Sequence, residues 1–163
     1  MIQFTGQEFQ IIKEKGEEFY NSINEVYCPY FKEKVYFSEA GLEHIKFKGR
    51  NRARFIKDQF MRLKLIFYVP EIIGRSGTLQ GIHETKRFEK IRMHNRTESI
   101  LKPVTYYEFI AIIKRSRIKI VLKQIDNGQK LFWSIIPFWR TDSRSKSRLL
   151  YDEIFNEGFE DGI

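Results

Sequence analysis

The chain has 163 residues, a formal net charge of +8 and a single cysteine, Cys28. That composition excludes an internal disulfide, and three scattered histidines with no Cys-x-x-Cys exclude a zinc framework. The longest apolar run, residues 63–70, contains Lys64 and is too short to cross a bilayer, and no basic-then-apolar leader opens the chain. The expectation is one domain over 1–163, cytoplasmic, with no membrane partner and a core large enough to fold without metal.

The charge is unevenly placed. Residues 1–33 hold three Lys/Arg against six Asp/Glu, and residues 149–163 hold none against five, which leaves 26 basic and ten acidic residues between them. Two acidic flanks around a strongly basic middle attract polyanions, nucleic acid first.

Phe9, Ile12, Gly16, Phe19, Ile23 and Val26 recur at spacings of three and four, predicting a helix over about 7–25. Pro29 ends it, Lys34–Phe37 alternates as a strand, and Ser38 is placed to cap a short helix, Glu39–Phe47. On that helix Leu42 and Ile45 face inward and turn His44 elsewhere. A basic run follows, with Lys46, Lys48, Arg50, Arg52, Arg54, Lys57, Arg62 and Lys64 opposed by Asp58 alone. It continues as an amphipathic helix that Pro70 stops. Gly74, Gly77 and Gly81 mark a loop or an irregular strand pair, without the Gly-Lys-Ser/Thr of a phosphate loop. Residues 82–102 show only a hint of strand around Phe88, Ile91 and Met93.

Val104–Ile113 reads as a strand leading into a hairpin over Arg117–Thr141, with Asn127-Gly128 as a two-residue turn. Counting outward, Ile120 faces Ile135, Val121 faces Ser134, Leu122 faces Trp133 and Lys123 faces Phe132. Trp133 then belongs to the core, while Phe132 shares the other face with Lys119, Lys123 and Ser134; a bulge would shift this pairing. A last helix is expected around Leu150, Ile154 and Phe155, so the acidic flanks of 1–33 and 149–163 are both helical. Helices first and an antiparallel sheet afterwards make the fold class α+β.

Leu42-Glu43-His44-Ile45, the basic helix around Arg54–Phe67, Thr105-Tyr106-Tyr107 and the strand–turn–strand of Ile118–Thr141 carry a resemblance. Over roughly 34–141 the chain resembles the phage-associated branch of the barnase–EndoU–colicin–RelE ribonuclease superfamily. The resemblance implies N-terminal helices packed on a four-stranded antiparallel sheet, with RNA on the open sheet face. It implies a metal-independent endoribonuclease without a cofactor, a hydrolase of the toxin type, whose protein partner is an inhibitor (antitoxin). His44 becomes the general acid or base, and Ser134 or Thr141 takes the hydroxyl position. Members of the branch often carry a second histidine shortly after the first, and only cations stand there in this chain.

Attack of a ribose 2′-hydroxyl on the adjacent phosphate needs a proton acceptor, cations around the phosphorane and a donor to the leaving oxygen. Lys123 and Arg140 supply charge beside His44, the side chain suited to proton transfer at neutral pH. Lys48, Arg50, Arg52, Arg54 and Lys119 are the candidate phosphate contacts, and Tyr107 a candidate for base stacking with Tyr106, Phe132 and Trp139. The alternatives are a non-catalytic RNA- or DNA-binding module of a phage or mobile element, which needs the charge but not His44, and a structural protein using the basic face for protein contacts.

Overall fold

The computed structural model describes residues 3–49, 52–114, 116–138, 140–141 and 148–149. The element expected around Leu150, Ile154 and Phe155 lies outside them. The fold is α+β, with helices on one face of a six-stranded sheet.

Helix α1 runs from Gly6 to Ser22. Its start is fixed by a capping box, in which the Glu8 amide donates to Thr5 Oγ1 at 3.1 Å and the Thr5 amide donates to Glu8 Oε2 at 2.6 Å. Ile12, Gly16 and Tyr20 form its buried stripe. The helix is shorter than predicted because Ile23 takes extended φ/ψ and the chain enters a strand, β1 (Glu25–Cys28), paired antiparallel with β2 (Glu33–Tyr36). Helix α2 (Glu39–Lys46) follows, and Tyr20 Oη donates to the Ser38 carbonyl at 2.7 Å, tying α1 to its entry.

Helix α3 covers Ile56–Leu65, passes through a 3₁₀ turn at Ile66–Tyr68 and restarts as α4, Val69–Arg75. Pro70 therefore opens a helix where the sequence predicts a stop. Its missing amide hydrogen is unneeded in a first turn, and its fixed φ suits one.

Four more strands complete the sheet: β3 (Gly81–Met93), β4 (Arg96–Ile113), β5 (Ser116–Ile125) and β6 (Lys130–Pro137). The order is β1-β2-β6-β5-β4-β3, antiparallel except for the β2–β6 pair, which is parallel. The sheet is thus six-stranded and mixed rather than four-stranded and wholly antiparallel, and within it β3 to β6 run as a consecutive antiparallel series. A two-stranded piece, β7 (Arg140–Thr141) with β8 (Arg148–Leu149), stands apart.

Cys28, Val35, Phe109, Ile118, Ile120, Leu122, Phe132 and Ile135 form the sheet's contribution to the core, with Tyr20, Leu42, Ile45, Leu63 and Ile66 among that of the helical layer. Each such side chain contributes roughly 1.5–3 kcal/mol when removed from water.

The hairpin departs from its predicted register near the turn. Positive φ falls at Asp126, the Gly128 amide donates to the Ile125 carbonyl at 3.0 Å, and the strands close at Gln124↔Lys130. Ile120↔Ile135 and Val121↔Ser134 pair as counted, but Leu122 pairs with Phe132, leaving Trp133 as the extra residue of a bulge. The consequence is an exchange of roles. Phe132 enters the core, and Trp133, predicted there, is turned to the face of Lys123.

Candidate active site

Leu42 and Ile45 of α2 are buried as their spacing requires, and His44 projects to another side. Its imidazole stacks on the Trp133 indole, ring centroids 4.4 Å apart and planes 27° apart. Lys123 Nζ lies 4.2 Å from the centroid of the same indole and is held by Glu89 Oε1 at 2.5 Å. The bulge is what allows this, because it aims Trp133 between a helix side chain and a β5 side chain. Glu89 comes from β3, so four elements meet.

Behind His44 lies a charged brace. Arg54 Nε donates to the His44 carbonyl at 3.0 Å, Asp58 receives Arg62 Nε at 2.8 Å and Arg54 at 3.4 Å, and Arg62 donates onward to Ser134 Oγ at 2.7 Å and the Ile135 carbonyl at 2.8 Å. The last two acceptors lie on β6 beyond Leu131, where its pairing with β2 has ended, so Arg62 satisfies an otherwise open sheet edge.

Burial, and then the charges of Arg54 and Arg62, lower the His44 pKa to about 4, against an opposing effect from the Trp133 backbone that outweighs the further lowering by Lys123. The free protein therefore holds His44 neutral at pH 7. Its Nδ1 is buried without a hydrogen-bond partner in this structure.

These groups line an open pocket of about 520 Å³, walled by His44, Glu43 and Phe47 on one side and by Phe88 and Glu89 on the other, over Trp133 and Lys123. Phe88 is 71% exposed, a large apolar surface at the rim.

The other predicted positions divide. Ser134 is buried and occupied as an acceptor for Arg62. Arg140 and Thr141 form β7, where they pair with Leu149 and Arg148. Arg50 and Trp139 lie outside the described residues. Lys48 and Arg52 are exposed, and the Lys48 amide donates to the Arg52 carbonyl at 2.7 Å. Arg54 is turned inward onto α2 rather than toward solvent. Lys119 bonds both Glu108 oxygens at 3.1 Å and is not among the pocket residues. Tyr107 packs against the core beside Phe31, ring centroids 4.8 Å apart, with its hydroxyl donating to Gln124 Oε1 at 2.8 Å. Tyr106, paired with Lys123 in the sheet, takes the opposite face.

No protein-family model matches the chain, and no curated protein or solved structure is significantly similar to it.

Sequence reasoning missed Glu89 and Phe88, which lie in its least legible stretch, and misassigned Trp133. The signal for the first two was the alternation of Lys86, Phe88 and Lys90 with Arg87, Glu89 and Ile91, a strand pattern diluted by charge on both faces. Among the described residues no group of three or more His, Cys, Asp or Glu is arranged to hold a metal ion, and no helix is long and apolar enough to cross a membrane.

Proposed function

We propose that this chain is a metal-independent endoribonuclease centred on His44. The observation that carries the reading is the convergence of an imidazole, an ammonium and a carboxylate over the Trp133 indole, in an open pocket of a basic protein. In the proposed reaction a ribose 2′-oxygen bonds to the adjacent phosphorus, and the bond from phosphorus to the 5′-oxygen of the next nucleotide breaks. Glu89 takes the 2′-hydroxyl proton and His44 gives a proton to the leaving oxygen.

Electrostatics supports the division of roles. A phosphate that bonds Lys123 competes with Glu89 for the ammonium and frees the carboxylate to act as a base. The same negative charge offsets the cations that depress the His44 pKa, moving the imidazole toward the protonated form an acid needs. Phe88 offers its exposed ring to a base, which selects unpaired RNA. Arg62 and Arg54 act as positioning residues through Asp58 and α2, and Ser134 serves as Arg62's anchor.

One observation favours a second reading. Lys123, Arg54 and Arg62 are each paired with a carboxylate, as in a surface that binds without reacting. That alternative is a non-catalytic nucleic-acid-binding module. Incubation with mixed single-stranded RNA in EDTA separates the two. The nuclease reading requires cleavage that is lost in His44→Ala; retained binding without cleavage establishes the module.

A further inference from the structure

Strands β3 and β4 pair in unbroken register from Gly81↔Glu108 to Met93↔Arg96, but β5 pairs with β4 only from Val104 onward. Among the described residues, 86–103 are therefore a two-stranded ribbon with no third strand. Register sorts its side chains. One face carries Arg87, Glu89 and Ile91 across from Lys102, Ile100 and Glu98, and it is half-buried at Glu89, Ile91, Ile100 and Lys102. This face is fastened to the body by Glu89 on Lys123 at 2.5 Å and Lys102 on Asp126 at 2.7 Å, with the Arg87 guanidinium 5.9 Å from the Tyr106 ring centroid.

The opposite face is exposed throughout. It carries Lys86, Phe88, Lys90 and Arg92 across from Pro103, Leu101, Ser99 and Thr97. Both acids of the ribbon point the other way, so this face holds three cations and no carboxylate. None of Lys86, Lys90 and Arg92 has a salt-bridge partner among the described residues, in contrast to Lys46, Lys102, Lys119, Lys123 and Lys130. At about 3.3 Å per residue the row spans roughly 20 Å, several nucleotides of backbone. It includes Phe88, which also lines the His44 pocket.

We propose that this ribbon face is a binding surface for the phosphate backbone of single-stranded RNA, guiding a strand past Phe88 to the pocket. It takes nucleic acid as the ligand, in line with the function proposed above, but does not require cleavage. Unpaired cations at alternate strand positions, with Ser99 and Thr97 hydroxyls between, suit repeated phosphates; an acidic protein surface gives no reason for the exposed Phe88 among them.

The test is the salt dependence of single-stranded RNA affinity for the full chain and for a Lys86→Gln/Lys90→Gln/Arg92→Gln variant. Exposed, unpaired side chains make that variant fold-neutral, checked by circular dichroism. Each single-strand phosphate contact adds about 0.7 to the slope of log affinity against log salt, so the triple variant loses about 2. An unchanged slope in the triple variant overturns the proposal even where His44-dependent cleavage is found, and so does a wild type that binds no RNA. A reduced slope without any cleavage upholds it and refutes the nuclease reading alone. Binding to phosphatidylserine vesicles that depends on the three cations, with the RNA slope unmoved, also overturns it.

Discussion

Replacing Arg62 tests whether the brace behind His44 carries stability. In the folded protein its side chain is 7% exposed, and its guanidinium spans Asp58, Ser134 Oγ and the Ile135 carbonyl at 2.8, 2.7 and 2.8 Å. Arg62→Met keeps much of the stem's packing but leaves two acceptors at the edge of β6 without a donor and Asp58 without its closer cation. Unsatisfied buried acceptors cost about 1–3 kcal/mol each, and breaking a buried pair from one side costs about 3–5 kcal/mol. These overlap, and methionine recovers part of the loss, so the expected destabilisation is about 3 kcal/mol. Urea unfolding is the assay, with a lower midpoint and an unchanged slope. Adding Asp58→Asn should cost less than the two single changes summed, because both remove the same Arg62–Asp58 pair. A single variant within about 0.5 kcal/mol of wild type, or a double variant equal to the sum of the singles, refutes the brace.

Gly41 lies where α2 meets β6, and a Cβ there falls 2.5 Å from the Phe132 carbonyl oxygen. Gly41→Ala is expected to cost about 2–3 kcal/mol in urea unfolding by forcing α2 outward, and a neutral result refutes the close approach. His44 gives a pH signature. Its folded pKa, about 4, lies below the ordinary 6.5, so between these values the unfolded chain binds the proton and the folded one does not. Stability should therefore fall as pH drops through that window, and His44→Gln should lose that part of the dependence; parallel pH profiles for the two proteins refute the burial of a neutral imidazole.

The helices were legible because their apolar stripes repeat at helical spacing and because the core side of α2 leaves His44 only one direction to take. The alternation of Tyr106 and Tyr107 allowed only one of them on the open face, and pairing with Lys123 selects Tyr106. Long-range pairing was less legible. No local pattern announces that β2 lies parallel to β6, or that Pro70 opens α4. The turn offered an Asn-Gly signal, yet positive φ falls one residue earlier, at Asp126, and the bulge at Trp133 absorbs the difference. That single slip placed Trp133 in the core and hid the floor of the pocket. Glu89 was hidden for another reason. Its partner, Lys123, is 34 residues away, and only the ribbon's reach beyond β5 brings them together.

If His44 and Glu89 move protons for a 2′-hydroxyl attack, the ends of the product report on it most directly. Mass spectrometry of a defined single-stranded RNA treated with the protein in EDTA should show 2′,3′-cyclic phosphate and 5′-hydroxyl ends. The same oligonucleotide carrying 2′-deoxyribose throughout should stay intact. Products ending in 3′-hydroxyl and 5′-phosphate, cleavage of the deoxy strand, or an RNA that is bound and left whole would contradict the account.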